Sequence, residues 1–289
     1  MNQDITCIIG PTAIGKSETA IELAKRTQAH IISADAFQVY KELDIGTAKV
    51  LPEEQDGVPH HLIDIREPHE SYSVSEFLEE TKEIIETCRK TNTPIIICGG
   101  TGLYVRSFLY DYSFPESIDT SRRIEIEERG KKIGAEALWE ELKQKDPEAA
   151  QKIPYQNMRR TVRALEVIEE TGKKFSDSSK QDETPREDTK IIGLTADRDI
   201  IIDRINRRVD IMVESGLIEE VQALLDKGIP QTAQAFEGIG YKETIQYLNG
   251  SLTKPEMIDL IKIKTRQFSK RQMTWFRRLD NVHWQTISD

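Results

Sequence analysis

The chain has 289 residues, 37% of them hydrophobic and 31% charged, and 40 Lys and Arg against 50 Asp and Glu give a net charge of −10. This composition excludes a disordered or fibrous chain, and the acidic total excludes a non-specific coat on nucleic acid while leaving room for a local basic surface. Three cysteines without CxxC or Cys/His spacing exclude a disulfide framework or structural zinc and fit a reducing cytoplasm, and with no leader-like start and no apolar run of about 18–20 residues the chain reads as neither secreted nor membrane-inserted.

Residues 5–9 form a short apolar run broken by Gly10 and Pro11, and residues 17–27 then show helical periodicity. A second apolar run covers 30–33. Ser73 and Glu76 have capping-box spacing ahead of an amphipathic helix through Phe77, Ile84, Ile85 and Cys88. Residues 94–98 are β-branched and read as a buried parallel strand ending at Gly99 and Gly100. This alternation predicts an α/β fold, a P-loop parallel sheet flanked by helices.

After about Ser113 the character changes. Residues 121–152 and 159–170 are charged and helical, and 176–189 (SDSSKQDETPREDT) reads as a flexible polar connection. Residues 190–195 return to a strand pattern, and helices are expected over 199–227, 241–248 and 255–279. The expected organisation is a core of residues 1–115 and 190–289 carrying a small all-helical insertion, 116–189. The last helix is basic from Lys262 to Arg278.

Gly10, Pro11, Thr12, Ala13, Ile14, Gly15, Lys16 and Ser17 spell GxxxxGK[ST] between a strand and a helix. Glycines let such a loop curl its amides around phosphate oxygens, and the helix N-terminus adds positive potential. Lys16 supplies a full charge, and the Ser17 hydroxyl can reach Mg²⁺. The motif specifies phosphate without specifying its carrier. A nucleoside triphosphatase also needs an acidic residue ending a core strand. Residues 94–98 end in glycines instead, and Asp64 is the weaker candidate. Asp35, at the end of the second strand, faces the ligand crevice of a parallel sheet. It suits a base acting on an acceptor nucleophile, or equally a cap or metal–water contact.

The segments GPTAIGKS, SADAFQVYKELDIGTAK (33–49), VPHHLIDI (58–65), GGTGLYVRSFL (99–109), RRTVRALEV (159–167) and TRQFSKRQMTWFR (265–277) resemble those of the tRNA dimethylallyltransferases, also called tRNA isopentenyltransferases. They span nearly the whole chain in the family's order. Ala36 departs from the family's usual Ser, and no zinc module follows, as in the bacterial form. The resemblance implies transfer of a dimethylallyl group from dimethylallyl diphosphate to the exocyclic amine of the adenine 3′ of the anticodon. It places the diphosphate and Mg²⁺ at the P-loop, Asp35 as the base, Thr101 as a second polar contact and Arg208 on the pyrophosphate, with Arg207 and Arg204 as alternatives. Asp35, Ala36, Phe37, Gln38 and Thr101 would read the extruded base. Arg123 and the run Arg159, Arg160, Thr161, Val162 and Arg163 would contact the anticodon stem-loop of the tRNA. The resemblance also suggests a monomer. Competing readings are an adenylate prenyltransferase, a small-molecule P-loop kinase and a non-catalytic RNA-binding module.

Overall fold

The computed structural model describes residues 4–112, 120–178 and 184–288. Its sheet has six strands, all parallel, in the order β3-β2-β4-β1-β5-β6. β1 (Ile5–Ile9) lies between β4 (Ile95–Gly99) and β5 (Thr189–Thr195), and β2 (His30–Ser33) lies between β4 and β3 (His60–His61). β1 and β4 are apolar on both faces because helices cover both, and Ile5, Ile8, Ile9 and Ile95–Ile97 are all buried.

The order of these strands positions the site. The chain leaves β1, passes through α1 (Lys16–Thr27) to β2 and β3, and returns through α2 (Val74–Lys90) to insert β4 between β2 and β1. The carboxyl ends of β1, β2 and β4 are therefore neighbours, though residues 10, 34 and 100 are far apart in sequence. α2 carries the expected capping box: the Ser73 hydroxyl accepts from the Glu76 amide, and the Glu76 carboxylate accepts from the Ser73 amide. Its Phe77, Thr81, Ile85 and Cys88 are buried at helical spacing. α3 (Gly102–Leu109) follows β4 directly.

The chain divides into two compact units, Tyr112–Thr184 and the remainder. The first contains α4 (Thr120–Ile133), α5 (Ala135–Lys145), α6 (Pro147–Lys152), α7 (Met158–Thr171) and the short α8 (Phe175–Ser178). Its core is built on Ile126, Leu138, Leu142, Ile153, Val162 and Leu165. Buried Asp146 caps α6 through the Ala149 amide (3.1 Å) and also accepts from the Ser176 amide (2.7 Å). Burial opposes ionisation there, but these two amides outweigh it and hold the carboxyl below its usual range.

Three sequence expectations are corrected. Residues 176–189 are not merely a polar connection. Ser176 is buried, Arg186 pairs with Asp111 and Asp188, and Thr189 already opens β5. Residues 179–183 lie outside the described residues. The helix expected over 199–227 is two helices, α9 (Arg198–Glu214) and α10 (Leu217–Asp226), because Gly216 takes a left-handed turn at φ 102°. β6 (Val282–Thr286) was not foreseen, since its mostly exposed VHWQT lacks a buried-strand pattern. α11 (Tyr241–Leu248) and α12 (Lys254–Phe276) fall close to expectation. No helix among the described residues is long and apolar enough to cross a membrane.

Candidate active site

The phosphate loop is built by local backbone geometry. Gly15 caps α1 at φ 96°, a conformation open to glycine, and Ala13 is also left-handed at φ 64°. The first-turn amides of α1 have no partner within the helix and remain available to an anion. Lys16 Nζ donates to Pro11 O at 2.8 Å, which holds the ammonium over the loop. Burial pushes Lys16 down to about 8, with Arg208 adding to the shift and Asp35 opposing it. Arg208 arrives from α9, and its Nη1 donates to Thr12 Oγ1 at 3.3 Å. Burial lowers it too, but a guanidinium stays charged. Two cations thus stand at the loop.

Opposite them lie the ends of β2 and β4. Asp35 Oδ1 accepts from the amides of Phe37 (2.9 Å) and Gln38 (3.4 Å), an Asx turn that fixes the carboxyl. Oδ2 accepts from no described residue. Burial raises the Asp35 carboxyl above its ordinary value, against those amides and the Lys16 charge. Thr101 leaves its own helix N-terminus uncapped, and its Oγ1 accepts from the Ala36 amide at 3.1 Å. That bond ties the turn after β4 to the turn after β2. Cys98 beside them is pushed up to about 11 by burial, so it packs as a neutral thiol.

Between the two groups runs a cavity of about 390 Å³, lined by Thr12, Asp35, Thr101 and Arg208 and by the apolar side chains of Phe37, Met212, Ile239, Phe268 and Trp275. A second cavity of about 110 Å³ over the P-loop is lined by Lys16, Ser17, Asp35 and Arg208. One crevice therefore offers cations and amides for an anion, a carboxylate oxygen for a proton, and an apolar wall beside both.

A family model described as IPP transferase matches residues 38–279. The chain belongs to the IPP transferase family. It is 46% identical to a tRNA dimethylallyltransferase of Alkaliphilus oremlandii over 291 aligned positions, covering 100% of this chain and 93% of that protein. Among solved structures it resembles a tRNA isopentenylpyrophosphate transferase from Bacillus halodurans, with TM-score 0.73 and 43% identity over 99% of this chain and 90% of that one. A eukaryotic dimethylallyltransferase captured acting on tRNA matches with TM-score 0.86 and 27% identity, over 99% of this chain and 74% of that one.

Within this IPP transferase fold, the three arginine alternatives separate. Arg208 lines the crevice, whereas Arg207 is exposed and paired with Asp203, and Arg204 reaches the Ser288 carbonyl. Asp64 lines neither cavity, and its carboxylate, together with that of Asp44, pairs with the buried ammonium of Lys49. Gln38 lines the smaller cavity beside Asp35, and its carboxamide is braced by neighbouring groups. Its Oε1 accepts from Ser33 Oγ at 2.9 Å, and its Nε2 donates to the carbonyls of Thr47 and Ala48.

On α7, Arg159 and Arg160 are exposed, but Thr161 and Val162 are buried in the helical core and offer no side chain to a partner. Arg163 is engaged with the buried carboxylate of Glu166 at 2.8 Å, and Arg123 pairs with Glu127. Burial at the helix repeat, invisible in a run of five named residues, makes the difference.

Two residues escaped the sequence reading. Glu220 on α10 accepts from the amides of Asp44 (2.9 Å), Ile45 (2.7 Å) and Gly46 (3.2 Å) and from Tyr241 Oη (2.6 Å). It thereby holds the loop whose Thr47 and Ala48 line the crevice. Gln272 on α12 accepts from the Thr12 amide and donates to the Gly100 carbonyl. Gln272 lay inside a family-like block, but nothing in spacing names a partner 260 residues away.

Proposed function

We propose that this chain transfers the dimethylallyl group of dimethylallyl diphosphate to the exocyclic amine of the adenine 3′-adjacent to the anticodon in tRNA, releasing pyrophosphate. The observation that carries this reading is the pairing, in one crevice, of a Lys16–Arg208 phosphate cradle with the Asp35–Thr101 pair across an apolar wall. The diphosphate sits on the P-loop and the five-carbon tail lies along Phe37, Met212, Phe268 and Trp275. The adenine, extruded from the loop of the tRNA, presents its amine to Asp35 and Thr101.

The amine nitrogen attacks the first carbon of the dimethylallyl group as the carbon–oxygen bond to diphosphate breaks. The departing electron pair goes to pyrophosphate, where Lys16, Arg208 and the loop amides meet the growing charge. The adenine amine is a weak nucleophile because its lone pair is delocalised into the ring. Asp35 Oδ2 takes its proton as the new bond forms, and a carboxyl raised by burial is a better base for this than an exposed one. Thr101 keeps the turn bearing Asp35 in register with the acceptor.

Mg²⁺ fits this donor set. The Ser17 hydroxyl and two carboxylates, Glu18 and Asp35, line the P-loop cavity, and no group of three His, Cys, Asp or Glu among the described residues forms a metal cage. Mg²⁺ favours such sites, with substrate phosphates supplying most ligands. Ser17 would hold it, and when bound it neutralises charge on the diphosphate. Exposed Arg159 and Arg160 are assigned to phosphates of the anticodon stem-loop. Three buried free cysteines suit a cytoplasmic setting.

The test is mass spectrometry of an anticodon stem-loop incubated with enzyme, dimethylallyl diphosphate and Mg²⁺. The expected product carries one dimethylallyl group on the adenine. Transfer to AMP with none to the stem-loop, or ATP hydrolysis without prenyl transfer, would overturn the reading.

A further inference from the structure

Gln272 lines both cavities of the crevice, and its hydrogen bonds go to none of the reacting groups assigned above. Only 3% of it is exposed. Its Oε1 accepts from the Thr12 amide at 2.8 Å and its Nε2 donates to the Gly100 carbonyl at 2.9 Å. Thr12 belongs to the donor-binding loop after β1, and Gly100 to the acceptor-side turn after β4, immediately before Thr101. The two turns are therefore bridged by the width of one carboxamide. Thr12 is gripped a second time, through Oγ1 by Arg208 of α9. α9 and α12 thus converge on one P-loop residue, by side chain and by backbone.

The bridge has two chemical consequences. It consumes the Thr12 amide, so the anion-facing amides are those nearer Lys16 and Ser17. It also needs an acceptor at one end and a donor at the other, which among side chains of this length only an uncharged amide supplies. Glutamate would set a carboxylate oxygen against the Gly100 carbonyl. Gly100 completes the fit, because a Cβ there would lie 2.3 Å from Gln272 Nε2, whereas the next nearest side-chain atom of another residue, Lys16 Nζ, is 3.7 Å away. Gly100 is not at a positive φ, so its lack of a side chain answers to this contact and not to backbone strain.

Resting on the function proposed above, we infer that Gln272 is a positioning residue that sets the span between the diphosphate cradle and the amine-binding pair, and so governs transfer more than binding. Reaction demands that the attacking nitrogen lie in line with the breaking bond, and misplacement by about 1 Å costs about 100-fold in rate. The carboxamide fixes that distance from α12, by holding Thr12 and Gly100 at once.

The experiment measures single-turnover transfer to the stem-loop, pyrophosphate affinity by calorimetry and the unfolding midpoint, for wild type, Gln272→Ala, Gly100→Ala and the double variant. Gln272→Ala is expected to slow transfer about 10- to 100-fold while pyrophosphate affinity changes less than about threefold. Gly100→Ala reaches the same bond without altering α12 and is expected to do the same. With the carboxamide gone, the added methyl has room, so the double variant should be no slower than Gln272→Ala within about threefold. Wild-type transfer in the same assay tests the functional reading by itself. An unchanged rate in Gln272→Ala, a rate loss matched by lost pyrophosphate affinity, or full additivity of the two substitutions would each overturn the inference while leaving that reading intact.

Discussion

Removing the Glu220 carboxylate should loosen a wall of the crevice by an amount the geometry allows one to work out. Its two oxygens accept four hydrogen bonds, from three consecutive amides at 44–46 and from Tyr241 Oη, all between 2.6 and 3.2 Å. A hydrogen bond to a charged group contributes about 1.5–3 kcal/mol. Four cannot be summed, because residues 44–46 are half-buried and water can reach some of the released amides. Glu220→Ala should therefore cost about 3–5 kcal/mol. Glu220→Gln keeps one acceptor oxygen for Asp44 and Ile45, and Tyr241 can turn to accept from the new amide, but the Gly46 amide then faces a donor. That variant should lose about 2 kcal/mol. Urea unfolding of the whole chain measures both, and at about 2–4 °C per kcal/mol Glu220→Ala should lower the melting midpoint by about 10 °C. Hydrogen exchange at amides 44–46 should accelerate in the same order, Ala above Gln. Both variants falling within about 0.5 kcal/mol of wild type would show that the carboxylate anchors nothing.

Other substitutions separate chemistry from scaffolding. Asp35→Asn should reduce the single-turnover transfer rate about 100-fold or more with stem-loop affinity little changed, and an unaltered rate in rapid-quench assays would remove Asp35 from the mechanism. Lys16 has its native pKa depressed to about 8, so the ammonium that grips the donor is present below that pH and lost above it. Pyrophosphate affinity should accordingly fall as pH rises through about 8 in the wild type, and calorimetry there should record proton uptake on binding. Lys16→Met should bind weakly at every pH, with no such step. For the free protein the sign is opposite: between about 8 and the ordinary lysine value the unfolded chain holds the proton that the native site has released, so this group adds stability as pH rises through that window. On α7, Arg163→Ala strands the buried Glu166 carboxylate and should cost about 1–2 kcal/mol, discounted for the partial exposure of the arginine. Arg160→Ala should leave the unfolding midpoint in place and flatten the salt dependence of RNA binding, and an unchanged slope in a salt titration would take Arg160 off the RNA.

The parts of the site legible in the sequence are those whose chemistry is held in a few contiguous residues. Residues 10–17 largely state their own conformation, with glycine at two of the three positions where φ is positive and lysine where the helix begins. Ser73 and Glu76 announce the start of α2 for the same reason. Asp35 stood out because a polar residue ending a buried strand must face the crevice. By contrast, Thr161 and Val162 read as part of an RNA-contacting run until the helix turned them into its core. Asp64 read as a possible strand-end carboxylate until Lys49 claimed it, and Gly216 broke a helix whose periodicity ran on across it.

The sequence by itself determined the phosphate loop, the α/β alternation and the family, since local backbone preference and motif order are written residue by residue. Only the tertiary structure decided that β4 lies between β2 and β1, that Arg208 and not its neighbours reaches Thr12, and that Gln272 and Glu220 brace the crevice from helices far along the chain. Those contacts depend on how helices pack over a parallel sheet. Packing brings together groups 172 to 260 positions apart, and a linear pattern carries no term for their distance.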